Sequence, residues 1–199
     1  MYELEATIDM PLLTGTAKPS IIREHNEAAS EASLVTAIIE GSNEQFARLY
    51  SRHAPLVHGI LLARVPRGEV DDLLQDIFLH AFKKLHTLRD RNAFAPWIAT
   101  IARNRAMDFH RSSREMVEVT EDLDSTNPPD HAADELLDII RSLPDTYRET
   151  MILRLVEGMT GPEIAARTGL TPASVRVNLH RGMKLLRERL RQRGSKGSL

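Results

Sequence analysis

The chain has no cysteine. Neither disulfides nor thiolate zinc sites can hold it together, so its stability must come from an apolar core. Rings are scarce too: one tryptophan, three tyrosines and five phenylalanines in 199 residues. The core must therefore be largely aliphatic, for which 42% hydrophobic content suffices. No apolar run reaches the roughly eighteen residues that a membrane helix needs, so no membrane insertion is expected. The opening residues lack a charged stretch leading into an apolar one, so no secretory signal is expected and the chain reads as cytoplasmic. No segment alternates polar and apolar residues long enough to build a sheet.

What the chain does have is charge, unevenly placed. The net charge is only −2. Yet residues 161–199 carry nine bases against two acids, and residues 83–114 carry eight against two. Between these blocks, residues 115–138 hold nine acids and no lysine or arginine. Solvated helix faces explain most charge runs. Two cationic blocks either side of an anionic tether fit a protein that touches a polyanion at two places.

The most informative local pattern lies near the C-terminal end. Thr160 with Glu163 predicts a capping box, Gly169 a left-handed helix stop, and Thr171–Pro172 an N-cap with proline at the first helical position. Ala165 is small enough for two helices to cross closely. Val175, Leu179, Met183 and Leu186 recur at helical spacing and are expected to face inward. Ser174, Arg176, Asn178, His180, Arg181 and Lys184 are then left on the outer faces. This is the layout of a helix-turn-helix. Side chains near the N-terminal end of its second helix usually reach base edges, which favours Ser174, Arg176 and Val177, followed by His180 and Arg181. Arg176 is the best bidentate reader of guanine, whereas Arg167, Lys184 and Arg187 suit phosphates.

Upstream the pattern is also helical, and the expected fold is all-α with two helical domains. Residues 1–30 read as a disordered arm. Residues 31–113 form the first domain, with breaks at Gly41–Ser42 and Pro66–Gly68. Asp71 and Asp72 open one helix, whose apolar stripe includes Leu74, Ile77, Phe78 and Ala81. Pro96 is expected to start another after a loop over residues 86–95. Residues 114–133, acidic and holding Pro128–Pro129, read as a flexible linker, and residues 134–193 as the helix-turn-helix domain.

Taken together, this layout resembles a bacterial sigma factor of the extracytoplasmic-function group. The resemblance rests on Phe46–His53, Asp71-Asp-Leu-Leu-Gln-Asp-Ile-Phe78, Phe94-Ala-Pro-Trp-Ile-Ala-Thr-Ile-Ala-Arg-Asn104, Leu143–Arg148, and Glu163–Ala166 with Gly169, Val175 and Leu179-His-Arg181. It covers roughly residues 31–190 in the family's order. It implies a promoter-specificity subunit with no catalytic chemistry, cofactor or metal. Its partners would be core RNA polymerase, promoter DNA and an anti-sigma factor. By the same resemblance Asp72, Gln75, Asp76 and Leu79 dock on polymerase. The loop residues Arg89, Arg91, Asn92 and Phe94, with Arg103, Asn104, Met107 and Arg111 of the following helix, would hold the melted minus-ten element. The C-terminal residues named above would read the minus-thirty-five element. Phe82 stands where the family often has tryptophan, and Gly161, Pro162, Asn178 and Gly182 also depart from its usual pattern.

Two rivals remain on the sequence. One is an autonomous helix-turn-helix regulator whose first domain senses a ligand or dimerises. The other is a nucleic-acid enzyme with a divalent metal on Asp71, Asp72 and Asp76. The scattered histidines show no ligand spacing.

Overall fold

The computed structural model describes residues 30–117 and 131–196. Among these residues there is no strand, and no helix is long and apolar enough to cross a membrane. The helices run in the order α1 (Glu31–Ile39), α2 (Glu44–Leu62), α3 (Val70–Lys84), α4 (Phe94–Val117), α5 (His131–Arg141), α6 (Asp145–Leu155), α7 (Gly161–Thr168) and α8 (Pro172–Lys196).

Local chemistry accounts for most boundaries. The Ser30 hydroxyl accepts from the Ser33 N–H and caps α1. Asp71 and Asp72 in the first turn of α3 and Lys83 and Lys84 in its last complement the helix dipole. α4 begins at Phe94, two residues before the expected start; Pro96 then sits in the first turn, where a missing N–H costs nothing. The expected linker over residues 114–133 gives up residues to helix at both ends, because α4 continues to Val117 and α5 starts at His131. Its remainder, and the expected arm over residues 1–30 apart from Ser30, lie outside the described residues.

α1 to α4 pack around Leu34, Leu56, Ile60, Ile77, Phe78 and Ile98; α5 to α8 pack around Ile140, Leu143, Met151, Ile152, Ile164 and Val175. Phe46 lays its edge against Phe82 at 4.8 Å and Phe78 at 6.3 Å, so Phe82 serves as an aromatic core residue. The two units do not stand apart. Their buried residues form one continuous cluster, with α2 against α6 and α4 against α7.

Gly59 allows the α2–α6 approach. A Cβ there would lie 2.7 Å from Leu153 Cδ2 and 2.9 Å from Glu157 Cγ. Carbonyls at and just past the C-terminus of α2, left without intrahelical donors, are taken largely by the second unit. Arg141 donates to Leu62 O and Val65 O at 2.9 and 2.8 Å, and Arg148 donates to Ala63 O at 3.4 Å. His110 of α4 sits 2.6 Å from Arg64 O.

Candidate nucleic-acid interface

The helix-turn-helix forms as its local marks predict. Thr160 and Glu163 complete a reciprocal capping box, and Gly169 adopts a left-handed conformation with φ +78°. Thr171 Oγ1 accepts from the Ser174 N–H at 3.1 Å, and Pro172 is the first residue of α8. α8 presents Arg176, Val177, His180, Arg181, Lys184 and Arg187 to solvent, Val177 at 42% exposure. The exposed Ser174 hydroxyl sits 2.8 Å from Thr171 Oγ1, inside the cap. Leu179 and Met183 join Arg154, His180, Lys184, Arg187, Glu188 and Arg191 in lining a groove of about 540 Å³.

One expected outer residue turns inward. Asn178 is buried and donates to Thr150 Oγ1 at 3.5 Å. It lies one turn after Val175 and one turn before Gly182, on the stripe that packs against α6. Gly182 is buried there as well, and a Cβ on it would stand 2.7 Å from Met151 Cγ. Both departures from the family pattern thus serve the crossing of α8 over α6.

The second cationic block is more divided. Arg89, Arg91, Asn92, Asn104, Met107 and Arg111 are exposed, Met107 at 60%. Arg91 donates to Thr36 Oγ1 at 2.6 Å, and the Asn92 N–H is held by Asp90 Oδ1 at 3.0 Å, which shapes the loop before α4. Arg111 pairs with Asp108 at 2.9 Å. Phe94 corrects the expectation of base capture. It is fully buried, its ring 5.0 Å from His53 and 5.7 Å from Trp97, and it anchors the start of α4. His53 is itself buried, with Nε2 3.0 Å from Glu31 Oε2 but poorly aligned for a ring N–H. Burial lowers its pKa against the opposing pull of Glu31.

Arg103 also differs from expectation, because it points into the second unit. Its Nε and Nη2 donate to the two Glu149 oxygens at 3.2 and 2.8 Å, and Nη2 reaches Thr168 O at 3.3 Å. Arg64, two residues past the end of α2, brings its Nη2 to 2.6 Å from Glu149 Oε2. Burial alone would raise the Glu149 carboxyl, but the bonds and charges of Arg103 and Arg64 outweigh it and hold the pKa below the ordinary carboxylate value. Arg167 likewise crosses between units, donating to Arg52 O at 3.2 Å. Gly169 lies beside Pro96, its Cβ position 3.8 Å from the proline Cβ. Nothing in the sequence marked Arg64, Glu149, His58 or Glu157 as special, since each matters only through a residue distant in the chain.

α3 has a different character. Asp72, Gln75, Asp76 and Leu79 are all exposed on its solvent side, Leu79 at 47%. An apolar side chain among acids is an unpartnered patch of the kind that protein interfaces cover. Among the described residues no group of three or more His, Asp or Glu side chains is placed to hold a metal ion, so Asp71, Asp72 and Asp76 do not assemble the cage of the enzymatic rival.

Comparison with known proteins places these faces in context. Residues 49–115 match the Sigma-70 region 2 family, and residues 133–186 match Sigma-70, region 4. The chain is 35% identical over 160 residues to RNA polymerase sigma factor CarQ of Myxococcus xanthus, covering 76% of this chain and 92% of that protein. It is 25% identical over 184 residues to the ECF RNA polymerase sigma-E factor of Haemophilus influenzae, covering 82% and 97%. Among solved structures, the fold is similar to that of CnrH in complex with the cytosolic domain of CnrY. That match has a TM-score of 0.61 and 24% identity, covering 82% of this chain and 99% of that one. It is also similar to the sigma factor RpoE in complex with the anti-sigma factor NepR from Bartonella quintana, with a TM-score of 0.55 and 20% identity, covering 74% and 98%.

Proposed function

The chain belongs to the RNA polymerase sigma factors of the extracytoplasmic-function type, and from that premise we propose how its faces divide the work of promoter-directed initiation. The exposed acidic patch of α3, Asp72, Gln75, Asp76 and Leu79, docks on core polymerase. It is the observation that carries the assignment, because acids around an open leucine match a basic surface with an apolar centre. Charge sets the rate and register of that encounter, while the leucine contributes contact area.

Arg89, Arg91 and Asn92 before α4, with Asn104, Met107 and Arg111 along it, hold the melted minus-ten strand. Strand separation costs pairing and stacking, which base capture and a cationic cradle for the single strand offset. On α8, Arg176 and Val177 read base edges of the minus-thirty-five element. Arg181 follows them at base edges, and Lys184 and Arg187 position the helix on phosphates.

The chain is then a cytoplasmic specificity subunit with no reaction of its own. One of its structural neighbours is a sigma factor held in complex with an anti-sigma factor, which supports a proteinaceous inhibitor for this chain too. Run-off transcription tests the reading: core polymerase with the purified chain should initiate at a defined start on a promoter template, and core alone should not. Tight, specific promoter binding in the absence of polymerase, with no defined transcript in its presence, would favour the autonomous regulator instead.

A further inference from the structure

We propose that Arg64 and Arg103 form a phosphate-binding fork for the promoter strand, and that Glu149 fills this fork in the closed chain as a stand-in for the phosphate. The identity of the polyanion rests on the sigma-factor reading; the fork rests on geometry. Planar guanidinium groups bind carboxylate and phosphate by the same two parallel N–H donors. Arg103 engages both Glu149 oxygens in that manner, and Arg64 shares one of them from the turn just past the end of α2.

The stoichiometry is unusual for a purely structural pair. Glu149 is only 7% exposed, yet it faces two arginines whose side chains are themselves only 27% and 28% exposed. One carboxylate leaves an excess positive charge at the interface. Among the described residues Arg64 Nε is buried without a hydrogen-bond partner, so the fork has a donor to spare. Both arginines belong to the unit that matches region 2, whereas the carboxylate belongs to the unit that matches region 4. Separating the units therefore exposes the arginines together and removes their occupant.

It follows that DNA and Glu149 compete for the same guanidinium groups, and that the closed chain binds single strands weakly. The test uses the full chain, without polymerase, and a short fluorescein-labelled single-stranded oligodeoxynucleotide read by anisotropy across a salt series. Glu149→Gln should bind about five- to tenfold tighter at low salt, with the slope of log K against log salt steeper by about 0.7 for each phosphate gained. Gly59→Leu, which pushes α2 from α6 without touching the fork, should shift both quantities in the same direction. Adding Arg64→Gln and Arg103→Gln to Glu149→Gln should abolish the gain.

Folded Glu149→Gln and Gly59→Leu proteins with wild-type affinity and slope would overturn the proposal, as would a gain that survives loss of both arginines. If Glu149→Gln does not fold, Gly59→Leu and its combination with the arginine changes decide the matter. Run-off transcription is independent of this assay. A chain that fails there yet shows the gain loses the promoter assignment and keeps the fork.

Discussion

His58 on α2 and Glu157 just beyond α6 form a hydrogen-bonded pair across the two helical units, with Nδ1 2.6 Å from Oε1. The bond to Glu157 raises the His58 pKa above the ordinary histidine value of 6.5, outweighing the opposite effect of burial. The contribution of the pair to closure is therefore complete below that ordinary value and fades as pH climbs through the raised one. Energy transfer between dyes on α2 and α8 should report units that separate more readily as pH rises above 6.5. His58→Gln should flatten that part of the profile. An equally steep profile in the variant would remove His58 from the account.

Close helix crossings make a second expectation. Gly182 sits against Met151 and Tyr147, where a Cβ would lie at 2.7 and 3.3 Å. Gly182→Val should displace α8 from α6 and cost roughly 1–3 kcal/mol in chemical denaturation. Activity from a promoter lacking a minus-thirty-five element should survive better than activity from a complete one. Unchanged stability would mean that Met151 repacks without strain.

The capping box offers a cleaner measurement. Thr160→Ala removes a hydroxyl that accepts from the Glu163 N–H at 3.4 Å and donates to Glu163 Oε2 at 2.8 Å. A loss of about 1 kcal/mol in unfolding free energy is expected, with little effect on polymerase binding. A loss confined to polymerase binding would contradict the purely local role.

On α8, base-edge and phosphate contacts separate by their signatures. Arg176→Ala should cost about 1–3 kcal/mol at the preferred upstream sequence and relax discrimination at one position. Lys184→Ala should weaken all duplexes alike and lower the salt slope by about one. Footprinting and salt titration on matched and mutated templates distinguish the two. Equal, sequence-independent losses would place Arg176 on the backbone.

For α3, Asp72→Lys with Asp76→Lys should slow association with core polymerase by about an order of magnitude at low salt. Leu79→Ala should chiefly speed dissociation. Surface-immobilised polymerase measures both rates, and wild-type kinetics in both variants would sink the docking assignment.

The sequence was most legible where structure is local. The capping box, the left-handed Gly169, Thr171 ahead of Pro172 and the dipole-matched α3 each depend on residues within one or two helical turns. Asn178 was misplaced because its polarity outweighed its position, although it falls on the stripe of Val175 and Gly182. Phe94 looked like a loop residue because α4 was expected to begin at Pro96. The contacts between units were not legible at all. Arg64 and Glu149 are 85 residues apart, His58 and Glu157 99. Such pairings are set by how α2 crosses α6, which no periodicity encodes.

The contact of Gly169 with Pro96 has a consequence for scale. It sets the turn before the upstream reader close to the first turn of the helix assigned to the downstream element, where a Cβ on Gly169 would meet the proline at 3.8 Å. On a duplex those elements are roughly 25 base pairs apart, or about 85 Å at 3.4 Å per step. A compact chain of this length has a radius of gyration of only about 16 Å. The folded-together form is too short a ruler for the promoter. The two units must therefore part before both ends of the ruler can meet their marks.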